Sequence, residues 1–286
     1  MLTHTFAHFP GVTLAREAEL WDDGYFCWDD LIAKADSGGG LGGPGDGVTD
    51  EAIRSRQRLA AGDAGFFRER LPSSARWRAY PEFIDGAAFL DIETTGLSPG
   101  YSYTTLVGIL DGDGYTAYLR GDNLDDLPEA LLKYDLVVTF NGASFDLPFL
   151  RREFQASEEP DAEDLFARAV HIDLRYPLRQ AGYTGGLKRI EKRTGLGRSS
   201  ALSKLGGADA VTLWKMAGEG EPGAIETLVR YNAEDVASLP DLARLAYDML
   251  SSRLPFSVPP APRFPDYDTE SLPYDSSLVE YLARFS

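Results

Sequence analysis

Apolar residues recur along the chain in three recognisable periods. Between residues 9 and 36, Phe9-Pro10-Gly11-Val12 leads into a helical pattern through Glu17, Leu20 and Trp21. Gly24 breaks that pattern, and Trp28-Asp29-Asp30-Leu31-Ile32 opens a second amphipathic stretch, so helix, glycine turn, helix is expected. Residues 49–72 read as helical, with Ile53, Leu59, Phe66, Phe67 and Leu71 apolar. The pattern then changes to strands. Ala87–Asp91 is a continuous apolar run ending in acid. Thr105–Leu110 and Tyr115–Leu119 flank Asp111-Gly112-Asp113-Gly114, a hairpin signal. A helix over Leu124–Tyr134, a strand over Leu136–Phe140 and a helix through Phe149 and Phe154 follow. The remainder reads as mostly helical, with a long pattern from about Ala224 to Leu250 and a short one over Leu278–Phe285. Strand, hairpin, helix, strand and helices describe a mixed α/β sheet.

This order divides the chain into a helical N-terminal element (1–36), a Gly-rich linker (37–50), a helical connector (51–83), a main domain (84–252) and a Pro-rich C-terminal tail (253–286). The linker run Ser37-Gly38-Gly39-Gly40-Leu41-Gly42-Gly43 holds too little apolar surface to offset its ordering entropy. Cys27 is alone, which excludes an intrachain disulfide and a Cys-rich zinc site. No stretch reaches the length of an apolar membrane span, and no basic region followed by an apolar core marks a secretion signal. A cytoplasmic protein is expected. With 28 Lys and Arg against 45 Asp and Glu, the formal charge is −17, which argues against an extended basic nucleic-acid surface.

The candidate chemistry lies in the acids. Asp91 and Glu93 are two residues apart at a strand end, so both side chains point to one face. Paired like charges favour a hard cation with oxygen ligands, whereas the plainer reading is an exposed acidic strand end. Asn141-Gly142-Ala143-Ser144-Phe145-Asp146 follows another apolar strand and places Asp146 in a first helical turn, where an anion is favoured in any case. The Gly142-x-Ser144 string approaches a nucleophile elbow but lacks its second glycine. In Tyr231-Asn232-Ala233-Glu234-Asp235, Tyr231 and Asp235 share a helix face at i and i+4. A tyrosine at that spacing serves either core or catalysis.

Asp91-Ile92-Glu93-Thr94-Thr95-Gly96-Leu97, Asn141-Gly142-x-x-Phe145-Asp146 and Tyr231-x-x-x-Asp235, in that order, resemble the three motifs of DnaQ-like 3′–5′ exonucleases in the ribonuclease H-like superfamily. The pattern is that of the four-acid class with tyrosine in the last motif. His171-Ile172-Asp173-Leu174, Leu187-Lys188-x-Ile190-Glu191 and the opening Phe9-to-Leu31 segment are similar to YprB-type members. The resemblance covers roughly residues 84–250. It implies a ribonuclease H-like mixed sheet flanked by helices, with a small helical N-terminal element. It also implies a two-metal phosphodiesterase in which Asp91, Glu93, Asp146 and Asp235 hold two Mg²⁺ or Mn²⁺ ions and Tyr231 orients or deprotonates water. By the same resemblance Thr94, Thr95, Leu97, Asn141 and Phe145 contact the 3′ end of a single strand. His171 and Asp173 are outer supporting candidates. Lys188 opens a basic helical run that either contacts phosphate or is a solvated face. A structure-selective endonuclease and a non-catalytic binding module are the alternatives.

Overall fold

The computed structural model describes residues 1–36, 47–154, 166–196 and 201–284. Most of the glycine-rich stretch (37–46) and Phe285, the last residue of the helix expected over Leu278–Phe285, lie outside the described residues. Among the described residues, five α-helices precede the sheet: α1 (Leu14–Asp22), α2 (Trp28–Asp36), α3 (Gly47–Ala60), α4 (Ala64–Arg70) and α5 (Tyr80–Phe83). The single helix expected over 49–72 is two. Gly62, at φ 66°, breaks it, and the Asp63 carboxylate then caps α4 by accepting from the Phe66 amide at 3.0 Å.

Strands β1 (Ala87–Thr94), β2 (Thr104–Asp111), β3 (Gly114–Leu119), β4 (Leu136–Thr139) and β5 (Val170–Asp173) form one sheet in the order β3-β2-β1-β4-β5. β1 pairs antiparallel with β2 and parallel with β4. β5 was not expected from the pattern, because a four-residue apolar run containing His171 is too short to separate from a helix. It pairs in parallel with β4, His171 opposite Val137 and Asp173 opposite Thr139. The expected Leu124–Tyr134 helix is shorter: a 3₁₀ turn leads into α6 (Leu127–Leu131). The remaining helices are α7 (Asp146–Phe154), α8 (Arg175–Gln180), α9 (Leu187–Thr194), α10 (Gly207–Gly218), α11 (Ala224–Ser251) and α12 (Ser276–Leu282).

Strand alternation sorts β1 between two layers. Ala88, Leu90 and Ile92 bury against Leu127, Leu131, Leu147 and Leu150 of α6 and α7. Ala87 and Phe89 turn the other way, into a core shared with Val236, Leu239 and Leu242 of α11. Asp91 and Glu93 continue that second face, towards α11. The same core runs through Phe6, Leu20, Trp28, Phe67 and Trp77 of the N-terminal region. There the buried Glu17 carboxylate accepts from the Phe6 and Ala7 amides and from Arg78 at 2.7 Å, so its charge is fully compensated. Phe256, Phe264 and Tyr267 of the Pro-rich tail pack on Trp21, Phe89 and Tyr115 respectively, which ties the tail to both regions. No helix among the described residues is long and apolar enough to cross a membrane.

Candidate active site

The site forms where β1 ends. Period-2 geometry presents Asp91 and Glu93 together, and the centre of α11 lies over them. The buried Asn232 side chain of α11 joins the two. Its Nδ2 donates to Asp91 Oδ2 at 3.0 Å and lies 3.5 Å from Glu93 Oε1, while its Oδ1 accepts from the Tyr115 hydroxyl at 2.9 Å. Asp91 faces Gly108 across the β1–β2 register, and a Cβ at Gly108 would lie 1.8 Å from Asn232 Oδ1. The absent side chain at Gly108 is therefore what admits the amide.

Asp146 arrives from the other layer as the first residue of α7 and is 2% exposed. Its own amide and that of Ile92 favour its ionised form, yet Oδ1 has no hydrogen-bond partner. Asn141, the residue of the preceding loop at φ 66°, gives this loop its sharp turn. The Asp173 carboxylate holds the loop by accepting from the amides of Asn141 (2.7 Å), Ala143 (3.1 Å) and Arg175 (3.0 Å). His171 pairs through Nε2 with Thr139 Oγ1 at 2.9 Å, under the point where Gly142 passes Thr139. Burial lowers the His171 pKa to about 3, so the ring is neutral and supports the loop from below.

Tyr231 and Asp235 rise from α11 one turn apart. The Tyr231 hydroxyl bonds Asp235, and burial beside Asp235, Glu93 and Asp91 pushes its pKa strongly upward. Lys188 of α9 comes to the same point. Its Nζ lies 3.6 Å from Asp235 Oδ1 and 4.5 Å from the Tyr231 ring centroid, and it donates to the Leu205 carbonyl at 3.1 Å. Lys188 thus stands beside Asp235 as a counter-charge, with its side chain still 40% exposed. Its neighbour Arg193 lies over the Tyr183 ring.

Among the described residues no three His, Cys, Asp or Glu side chains are close enough to hold a metal ion as they stand. The carboxylates nevertheless share one field. Burial, then Asp146, Glu93 and Asp235, raises Asp91 well above the usual carboxylate range. Burial and Asp235 push Glu93 to about 8; burial pushes Asp146 to about 7, and Asp235 to about 6 against the pull of Lys188. Crowded, desolvated carboxylates with an unpartnered Oδ1 match the donor set of a hard dication. Such an ion would be held by Asp91, Glu93, Asp146 and Asp235.

These shifts have a consequence for stability. Each folded-state value lies above its unfolded counterpart near ~4, so folding without metal takes up protons. That contribution is complete below the unfolded values and is lost as pH rises through 6, 7 and 8. In chelator, the melting temperature should fall between pH 6.5 and pH 8, above the range in which the buried His8 and His171, lowered to about 3, act in the opposite sense, and added Mn²⁺ should reverse the trend. A melting temperature that climbs over that window in chelator would contradict this assignment.

A cleft of about 620 Å³ opens over the acids. Asp91, Glu93 and Asp235 line it with Tyr231, Thr94, Thr95, Leu97 and Phe145. Leu97 is 87% exposed at its rim. The threonine hydroxyls are committed to the turn: Thr94 Oγ1 donates to the Gly96 carbonyl at 2.6 Å, and Thr95 Oγ1 accepts from the Tyr103 amide at 3.1 Å. Asn141 is not a lining residue, and its side-chain oxygen accepts from Arg175. Sequence reasoning missed Asn232, whose signal was a carboxamide within an apolar helical face. It also missed the whole far wall, built by Gly207, Ala208, Val211, Thr212 and Lys215 of α10.

No curated protein matches the chain. Among solved structures, a family B DNA polymerase from the hyperthermophilic archaeon Pyrobaculum calidifontis is similar, with a TM-score of 0.44 and 20% identity, over 58% of this chain and 24% of the polymerase. The chain thus corresponds to only a minor part of that polymerase. A family model described as RNase H superfamily matches residues 88–247, which takes in all five strands, Tyr231 and the four acids. The chain belongs to the RNase H superfamily.

Proposed function

We propose that this protein is a 3′–5′ exonuclease that hydrolyses single-stranded DNA or RNA with two divalent cations, Mg²⁺ or Mn²⁺. Superfamily membership supports a nuclease that acts on nucleic acid with divalent metal ions. The observation that supports the finer reading is that Asp91, Glu93 and Asp235 from β1 and α11 line one cleft, while the buried Asp146 of α7 acts on Asp91 electrostatically and leaves its Oδ1 unpartnered. The three motif segments, together with the YprB-like His171 and Lys188 stretches, favour the YprB-type group. A cytoplasmic location and the segment boundaries 1–36, 37–50, 51–83, 84–252 and 253–286 belong to the same proposal.

When bound, the cations would lower the pKa of an attacking water and stabilise both the entering and leaving oxygens of an in-line displacement. The chain's own groups do the positioning. Asn232 keeps Asp91 and Glu93 parallel, and Asp173 keeps the Asp146 loop closed. The Tyr231 hydroxyl, bonded to Asp235 at the cleft, is placed to orient or deprotonate the attacking water. Leu97 and Phe145 offer apolar faces to a terminal base.

Incubation of the purified protein with Mn²⁺ and a 5′-labelled single strand should give a ladder shortened from the 3′ end, with single-stranded circles left uncut. Cutting of circles would favour the endonuclease. No hydrolysis together with no Mn²⁺ uptake would leave a binding module. Tyr231→Phe removes only the hydroxyl, and kcat should fall about 10- to 100-fold with KM nearly unchanged. Wild-type kcat in that variant would remove Tyr231 from the chemistry.

A further inference from the structure

We propose that α10 is the second wall of a groove for an unpaired strand, and that Lys215 binds the phosphate adjoining the one at the acids. The inference rests on the nuclease reading above and adds to it a wall of the binding groove and a phosphate-binding residue.

Ala208, Val211, Thr212 and Lys215 recur every three or four residues, so they form one face of α10, and all four line the cleft. The opposite face is anchored. Ala210 and Leu213 bury in a cluster with Ala224, Leu228 and Tyr231 of α11, so the wall is fixed to the helix that carries Tyr231 and Asp235. Across the cleft stand Ile92, Leu97 and Phe145. The lining therefore combines carboxylates, apolar side chains from both sides and an ammonium. Between Ala208 and Lys215 the helix advances about 10 Å at 1.5 Å per residue.

A nucleic-acid strand presents the complementary series: a phosphate at the acids, a base and sugar between apolar surfaces, then a second phosphate. The charges at the site select Lys215 for that second contact. Lys188 is engaged with Asp235 and the Leu205 carbonyl, whereas Lys215 is exposed and has no carboxylate partner among the described residues. In a chain with a formal charge of −17, a lysine on the wall of an acid-floored cleft gives a polyanion one local point of attachment. Walls on both sides also decide the strand state. A cleft of about 620 Å³ is the size of a site for one small ligand. That is room for one nucleotide, with Leu97 and Val211 among its lining, and a base pair would need space for a second strand beside it.

The test is fluorescence anisotropy with a labelled five-nucleotide single strand carrying phosphorothioate linkages, in Mn²⁺, across a salt series. Lys215→Ala should weaken binding about tenfold and lower the salt slope by about 0.7, the value for one phosphate contact on a single strand. Lys215→Arg should restore both. Val211→Trp, which fills the groove, should weaken binding without changing the slope. A blunt duplex long enough to stay paired should compete poorly. Wild-type affinity and slope in Lys215→Ala, or duplex binding as tight as single strand, would overturn the α10 assignment. Mn²⁺ uptake measured in parallel by calorimetry separates the two levels: uptake with an inert Lys215 leaves the nuclease reading standing, and no uptake with no strand binding removes both.

Discussion

Asp146→Asn should reduce hydrolysis by about 10³-fold or more, a loss of roughly 4 kcal/mol of transition-state stabilisation, while the protein stays folded. The asparagine side chain has the same shape and keeps an oxygen for the Ile92 amide, so packing at the start of α7 is retained. What disappears is the negative charge at Oδ1, the atom left without a partner in the folded chain. A buried carboxylate in that position costs stability in the absence of a cation, since its pKa stands at about 7. Metal-free Asp146→Asn should therefore melt at or above the wild-type temperature at pH 8, and the pH dependence of its melting between 5 and 8 should be flatter. Calorimetric titration with Mn²⁺ should show weakened uptake. The combination of lost activity with unimpaired stability is diagnostic. An active variant would remove Asp146 from the site, and a variant that melts well below wild type would mark it as a structural cap on α7.

Gly108→Ala should damage both fold and site. The added Cβ would stand 1.8 Å from Asn232 Oδ1 and 2.8 Å from the Tyr115 hydroxyl, so the carboxamide must move. Once it moves, Asp91 and Glu93 lose their shared donor, and the Tyr115 hydroxyl loses its shorter acceptor and keeps only the Val229 carbonyl at 3.4 Å. Overpacking and a buried unsatisfied polar group each cost about 1–3 kcal/mol, so a loss of about 3 kcal/mol is expected by urea denaturation. Activity should fall with it, because the two carboxylates on β1 are no longer held together. A double variant, Gly108→Ala with Asn232→Ala, separates the effects. Removal of the amide relieves the clash and should recover part of the stability, but not the activity. Full recovery of activity in the double variant would show that Asn232 has no positioning role.

How far the site was legible from the chain follows from which contacts are local. Asp91 and Glu93 sit two apart on a strand, Asp146 opens a helix, and Tyr231 and Asp235 lie one turn apart. Each relation is set by backbone periodicity within a few residues, so spacing alone placed them on common faces. The hairpin of β2 and β3 was equally legible, because Asp111-Gly112-Asp113-Gly114 carries its own turn chemistry: the Asp111 side chain accepts from the Asp113 amide at 2.9 Å, and Gly114 takes φ 125°. β5 was missed for the converse reason. Four residues hold too little periodicity to declare a strand, and its place beside β4 depends on pairing with Leu136–Thr139.

The chain by itself thus determined the fold class and the local geometry of each acidic motif, since both follow from periodicity and turn residues. Only the tertiary structure decided that Asn232 bridges Asp91 and Glu93 across 139 to 141 residues, and that Gly108 makes room for it. The same holds for Lys188, which comes to lie 3.6 Å from Asp235, and for α10, which lines the cleft with Lys215. Those outcomes rest on which helix face packs against which strand, and the free energy that selects the packing comes from apolar surface buried between segments far apart in sequence. No short window of the chain contains both partners.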